Sequence, residues 1–302
     1  TFLSTITDLD LYSLRFPGRI ISALFDSSTV TLISILAFKY FGKKVGFLTG
    51  LFSVFSVIQI QHAHFFVVDT ILTFLIVGLI FLCVKISKNC TLKSSIICGI
   101  LLAAALATKI SSLPIIILIF LSYGLYALSP NTDYISRNIS LNPHNIKKAF
   151  IGITACISIS VIFFILFSPY AIIDFPKFIQ DNLNQSRMVR GTSDLPYTRQ
   201  YIDTIPYIYH LKQIITRSLG PTVSILSFLG LIFTLRKSHL PLPKIHIILI
   251  FWILFYFLIF GQFQVKFSRY MLPIIPFLLV YASLSLVAFY YWLNKKLPRL
   301  AI

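Results

Sequence analysis

The chain has 302 residues, 57% of them hydrophobic and only 12% charged, with a mean hydropathy of +0.87. Soluble domains carry about twice that charged fraction, so the composition excludes an ordinary soluble globule and predicts an all-α, polytopic membrane bundle. A formal charge of +17 would suggest nucleic acid in a soluble protein. Here it falls in short loops between apolar runs, so nucleic acid is not an expected partner.

A bilayer-crossing helix needs roughly 20 apolar residues. By that rule nine spans are predicted, near 20–41, 46–61, 66–84, 95–108, 112–128, 149–168, 218–235, 245–261 and 271–292. Alternate loops are basic: Lys39, Lys43 and Lys44; Lys85, Lys88 and Lys93; Arg137, Lys147 and Lys148; Arg236, Lys237 and Lys244; Lys295, Lys296 and Arg299. Asp133 is the only acid among them, while Asp8, Asp10, Asp69, Asp174, Asp181, Asp194 and Asp203 fall on the other side. Lys/Arg-rich short loops mark the cytoplasmic face. The expectation is a single multi-pass domain over 1–302 in the cell (inner) membrane, with an extracytoplasmic site and an extracytoplasmic loop over 169–221. Residue 1 is Thr, the N-terminus falls outside, and no signal-peptide pattern precedes the first run. The chain is therefore expected to lack an upstream helix and the outer loop after it. The sequence contains no Glu, so every carboxylate role falls to an Asp. Cys83, Cys90, Cys98 and Cys156 map to the reducing inner half without a CxxC spacing, so neither a disulfide nor structural zinc is expected.

The outer side carries four clusters. The first runs from Gln59 to Thr70 and contains His62, His64 and Asp69. An ionisable group at the mouth of a span is costly unless it meets a partner or a wet cavity. Asp69 suits orienting a substrate, accepting a proton, or capping a helix that starts at Thr70. With His62 and His64 it would also suit a divalent metal ion, although two imidazoles at a polar boundary equally serve as plain hydrogen-bonders. The second cluster is the turn Leu106–Pro114, where Lys109 either snorkels or meets a phosphate at the membrane surface.

The third is the long segment from Phe167 to Pro221. Connections of this length are functional or disordered, and this one is rich in Tyr, Arg, Asp and Pro. Asp174 to Arg190 has the apolar spacing of an interfacial helix, and Gly191 to Tyr209 reads as an ordered loop. Arg187, Arg190 and Arg199 offer contacts to an anion. Tyr197, Tyr201, Tyr207 and Tyr209 suit either stacking on sugar rings or the aromatic interface belt. The fourth cluster, Gly261 to Pro273, places Lys266, Arg269 and Tyr270 where the last span begins. Positive charge there opposes the helix dipole, so an anionic partner is expected, either a substrate or a lipid head group.

Carboxylates and phosphate-suited cations at one membrane face fit the transfer of a sugar from a lipid-linked phosphate. An acceptor hydroxyl must lose its proton as it attacks, and the leaving phosphate needs cations or a metal. The rival readings are a transporter or flippase for lipid-linked or small solutes, and a non-catalytic subunit that binds the lipid carrier. Transporters tend to place binding groups at the midplane, where this chain has few charges.

Gly18-Arg19, His64 to Asp69, Ala107-Thr108-Lys109, Ser168-Pro169-Tyr170, Pro196 to Tyr201 and Lys266 to Pro273 resemble the bacterial polyprenyl-phosphate-sugar glycosyltransferases related to dolichyl-phosphate-mannose protein mannosyltransferase. Their order matches over nearly the whole chain. The resemblance implies the C-type glycosyltransferase fold, a polyprenyl-phosphate-linked sugar donor, and a lipid, glycan or protein acceptor. It implies Asp69 as a supporting acid, with the principal base upstream of this sequence. Lys109 and Arg269 would hold phosphate, and Arg199, Gln200 and Tyr201 would shape the pocket. Lys266, Tyr270, Arg187, Arg190 and Tyr197 complete the expected substrate-binding set, and His62, His64 and Asp69 are the expected metal ligands.

Overall fold

The computed structural model describes residues 15–134, 142–193, 195–236 and 242–296. Asp8, Asp10, Arg137, Asp194, Lys237 and Arg299 lie outside the described residues.

The first described helix, α1 (Arg15–Phe41), turns into α2 (Lys43–Val54) at Gly42, whose φ of 95° a side chain would strain. The chain breaks at Phe55–Ser56, and α3 (Val57–Ala63) leaves α2 at 56°. Then come α4 (Val68–Lys88), α5 (Leu92–Thr108), α6 (Ile115–Leu128) and α7 (Pro143–Phe167). Thr91 starts α5 by accepting from the Ser94 N–H, and Asn142 starts α7 by accepting from the His144 N–H. After the outer segment, α8 (Tyr170–Ile173), α9 (Phe175–Val189) and α10 (Ile208–Gln213) precede α11 (Pro221–Arg236), α12 (Lys244–Gly261) and α13 (Ile275–Lys296).

Each of the nine apolar runs coincides with helix, but not every one is long enough by itself to be counted as a span. Among the described residues six helices are long and apolar enough to cross a membrane, or up to seven if the bent α2–α3 pair is one span. With 17 residues α5 reaches about 25 Å, short of a core of roughly 30 Å. Hydropathy counts apolar residues and does not register where polar groups at Lys93 and Lys109 end the helix. α11, with 16 residues, is shorter still.

The described residues of the segment over 169–221 include short helices. Asp174 accepts from the Lys177 N–H to begin α9, with Pro176 in its first turn. Phe175, Ile179 and Leu183 form an exposed apolar stripe on α9, as an interfacial helix requires. A 3₁₀ turn at Pro196–Tyr201 and a π turn at Ile214–Ser218 complete the segment.

Two helices carry the core. α4 and α13 bury most of their surface, and α1, α2, α5, α6 and α12 pack around α4 or α13. Gly230 on α11 meets the Tyr281 carbonyl of α13 so closely that any side chain there would force the helices apart. The basic loops converge at one end. Lys88 pairs with Asp133, and the buried Lys244 ammonium donates to the carbonyls of Ser87 (2.7 Å) and Ser129, closing the C-termini of α4 and α6 with positive charge. Cys83, Cys90, Cys98 and Cys156 are free and buried.

Candidate active site at the polar mouth

The end of the bundle opposite those basic loops is organised around Asp69. The sequence turns at Phe65–Val67, and α4 begins at Val68, so Asp69 lies in its first turn. A carboxylate there is favoured by the helix dipole. It makes no side-chain cap; instead its Oδ1 accepts from the Lys109 ammonium at 2.8 Å, and Oδ2 lies 3.9 Å from Arg269 Nε. Asp69 is 4% exposed, Lys109 25% and Arg269 40%, so the carboxylate is sunk while its cations reach toward solvent.

Local structure explains how three distant residues meet. Lys109 ends α5 in extended backbone, its N–H still bonded to the Ala105 carbonyl, and a 3₁₀ turn at Ile110–Ser112 reverses the chain into α6. Arg269 lies in the 3₁₀ stretch Ser268–Ile274, which Pro273 keeps from closing as an α-helix. The Arg269 guanidinium lies over Phe267 at 4.8 Å, and Lys109 over the Tyr270 ring at 5.0 Å. Aromatic faces thus fix both cations without neutralising them.

Lys109 and Tyr270 also line a cavity of about 320 Å³. Its wall is apolar on the bundle side, from Leu113, Tyr256, Ile259, Phe260 and Phe263. Its outer wall is polar, from Asn182, Gln185 and Ser186 of α9 and from Arg190 just after it. A charged head group at Lys109 and an apolar chain against α12 would both be accommodated.

Of the expected residues, Asp69, Lys109, Arg269 and Tyr270 come together, and exposed Arg190 faces them across the cavity. Others do not join. Lys266 turns inward, fully buried, and donates to Thr204 Oγ1 and the Gln264 carbonyl, both at 2.9 Å. Burial holds its pKa below the ordinary lysine value. Tyr201 is buried edge-on against Tyr209 and Phe267, its hydroxyl pushed up to about 12 by burial. Tyr197 stacks on Phe267 and donates to Met188 Sδ. Tyr197 and Tyr201 thus pack on Phe267, the ring over which the Arg269 guanidinium lies. Gln200 donates to the Tyr197 carbonyl, and Arg187, Arg199 and Gln200 are exposed outside the cavity lining.

The expected metal ligands are not gathered either. His64 is exposed with Nδ1 at 2.7 Å from the Ile60 carbonyl, and His62 is buried without a hydrogen bond. Among the described residues no three His, Cys, Asp or Glu side chains are grouped to hold a metal ion. The Asp69 oxygens face cations instead, so these residues do not fit a divalent ion and no chemistry is assigned to one.

Tyr256, Phe260 and the polar face of α9 were not foreseen. The first two sit within an apolar run where an aromatic is indistinguishable from filling. Asn182 and Ser186 share a helix face, a four-residue spacing that would have marked α9 as two-sided.

No family model matches the sequence, and no curated protein matches it. The fold is similar to those of two solved proteins. ArnT from Cupriavidus metallidurans bound to undecaprenyl phosphate superposes with a TM-score of 0.61 at 19% identity, over 94% of this chain and 48% of that one. The same protein in the apo state gives 0.57 at 16% identity, over 89% and 45%. The archaeal oligosaccharyltransferase AglB from Archaeoglobus fulgidus, in complex with an inhibitory peptide and a dolichol-phosphate, gives 0.50 at 13%, over 92% and 39%. The likeness is one of fold, and the chain spans less than half the length of these structures.

Proposed function

We propose that this protein is a membrane glycosyltransferase that moves a hexose or pentose from a polyprenyl-phosphate donor to a hydroxyl acceptor at the extracytoplasmic face. The observation that carries this is the Lys109–Asp69–Arg269 cluster at the head of an apolar-walled cavity. Two cations and one carboxylate leave a net charge of about +1, which matches a phosphodiester monoanion. The apolar wall suits the first isoprene units, and the polar wall of α9 suits sugar hydroxyls. As the glycosidic bond breaks, charge grows on the leaving phosphate, and cations fixed in a poorly hydrated site stabilise it without reorganising. That ArnT was solved with undecaprenyl phosphate, on the same fold, supports the reading. The basic loops at the opposite end support the outward orientation.

The test is transfer of radiolabelled sugar from a polyprenyl-phosphate donor by the purified protein, with competition by polyprenyl phosphate. Saturable binding and transfer are expected. A protein that binds no polyprenyl phosphate would overturn the reading. Labelling of His64→Cys from the cytosolic side only would overturn the assigned face.

A further inference from the structure

α1 and α5 both pack on α4, and the three helices leave a groove on the flank of the bundle. Its volume is about 240 Å³, and Leu32 of α1, Gly78, Phe81 and Leu82 of α4, and Ile97 and Leu101 of α5 form most of its wall. Every residue lining it is apolar. Gly78 keeps it open. A Cβ at that position would meet only two methyl groups, Leu101 Cδ1 at 3.3 Å and Leu32 Cδ2 at 3.8 Å. Gly99 and Gly230 differ, for each lies against a neighbouring helix's carbonyl oxygen, that of Cys156 or of Tyr281. Those two glycines let helices approach. Gly78 weakens its helix without such a contact, and what it leaves is space. By volume the groove would take about eight waters of roughly 30 Å³ each, but its apolar wall gives water nothing to bond to. Hydrocarbon is the filling that restores the missing dispersion contacts.

Each of the three helices also carries a lysine beyond the groove, at the end of the bundle opposite Asp69. Lys39 stands in the last turn of α1, Lys85 in the last turn of α4, and Lys93 in the first turn of α5, which runs the other way. The register puts them on the groove's side. Lys39 follows Leu32 by seven residues, Lys85 follows Gly78 by seven, and Lys93 precedes Ile97 by four. Seven residues are two helical turns and four are one, so each lysine shares a face with a lining residue. Contact agrees with register where it is seen: the Lys39 ammonium lies 5.2 Å from the centre of the Phe81 ring, at the groove's rim. All three lysines are exposed. Among the described residues no carboxylate pairs with them, because Asp133, the one acid in the basic loops, is held by Lys88. A lipid tail of any kind would fill the groove, but three unneutralised cations at one end of it select the head group. Basic pockets between membrane helices take anionic lipids for this reason.

We propose that the α1–α4–α5 groove is a binding site for an anionic glycerophospholipid of the leaflet at the basic-loop end. One acyl chain lies over Gly78, between Leu32 and Leu101, and the phosphate is held by Lys39, Lys85 and Lys93. The site is separate from the cavity at Lys109 and does not rest on the glycosyl-transfer reading.

The test is native mass spectrometry of the purified full chain in detergent, titrated with dioleoyl phosphatidylglycerol, tetraoleoyl cardiolipin or dioleoyl phosphatidylcholine. Wild type is expected to retain one phosphatidylglycerol or cardiolipin at concentrations where phosphatidylcholine does not bind, with cardiolipin the tighter because it has two phosphates. Lys39→Gln/Lys85→Gln/Lys93→Gln should weaken binding on the order of 100-fold, since each lysine near an anionic head group is worth about fivefold. Lys44→Gln/Arg236→Gln/Lys295→Gln removes the same charge from α2, α11 and α13 and should weaken it by less than about fivefold, the worth of one nearby lysine. Gly78→Leu fills the groove with all lysines in place and should weaken binding at least about tenfold, the worth of two buried methylenes. Leu82→Trp fills the same groove should Gly78→Leu not fold, as judged by its unfolding midpoint in lipid-free detergent. Equal binding of phosphatidylcholine would overturn the proposal. So would an equal loss in the two triple variants, or wild-type affinity in the folded groove-filling variant.

Discussion

Replacing Lys109 by Gln separates a catalytic cation from a structural one. The ammonium is 2.8 Å from a carboxylate that is 4% exposed, so its removal leaves a buried charge with only Arg269, at 3.9 Å, to answer it. Breaking a buried pair from one side costs about 3–5 kcal/mol, and because Lys109 is a quarter exposed the lower end, about 3 kcal/mol, applies. A lost charge-assisted hydrogen bond to phosphate costs about 1.5–3 kcal/mol, which is roughly a 10- to 150-fold fall in kcat/KM for the donor. The two effects have different remedies. In the double variant Asp69→Asn/Lys109→Gln no buried charge is stranded, so about 2 kcal/mol of stability should return, while transfer stays low because the phosphate still lacks its cation. Stability is read from thermal unfolding in detergent, and transfer from steady-state kinetics with a polyprenyl-phosphate donor. A single variant within threefold of wild type in kcat/KM would refute the reasoning. So would a double variant that regains activity along with stability, since Lys109 would then be only a counter-ion.

Arg190→Ala should lower kcat/KM only about two- to fivefold, with the effect vanishing at high salt, because that guanidinium is exposed at the cavity rim; a loss as large as that of Lys109→Gln would contradict its rim position. Phe263→Trp should raise KM for long-chain donors while leaving short-chain analogues unaffected, since Phe263 lines the apolar wall; equal effects on both would contradict that wall as the lipid path. Burial, and then the neighbouring Lys266, holds the His210 pKa down to about 4 from 6.5. Its neutral form is the folded one, so stability is complete above pH 6.5 and declines as pH falls toward 4, by about 3 kcal/mol in all. His210→Phe should flatten that decline in a pH series of unfolding midpoints. Gly230→Leu should cost about 1–3 kcal/mol by driving α11 off the Tyr281 carbonyl, measured as a lowered midpoint.

How much of this was legible in the sequence follows from what a one-dimensional reading can weigh. Asp69, Lys109 and Arg269 were legible because a charge flanked by apolar runs has few inexpensive places to go, and each lies at the mouth of a span. Lys266 and Arg269 look alike in sequence, three residues apart; only the fold turns Lys266 inward onto Thr204 and Gln264 and leaves Arg269 at the site. The tyrosines of the outer segment could be named from the sequence but not placed, because stacking on a sugar and packing on Phe267 demand the same residue type. The bend between α2 and α3 was hidden for a geometric reason. A run over 46–61 reads as one straight span, and on a straight α-helix residues three apart drift by about 60° at each step, so Ser53 and His62 would face opposite sides. The chain instead breaks at Phe55–Ser56 and bends by 56°, and Ser53, Ser56, Gln59 and His62 are all buried. Hydropathy weighs how many apolar residues a window holds, and a break of two residues in the helical ladder leaves that sum unchanged.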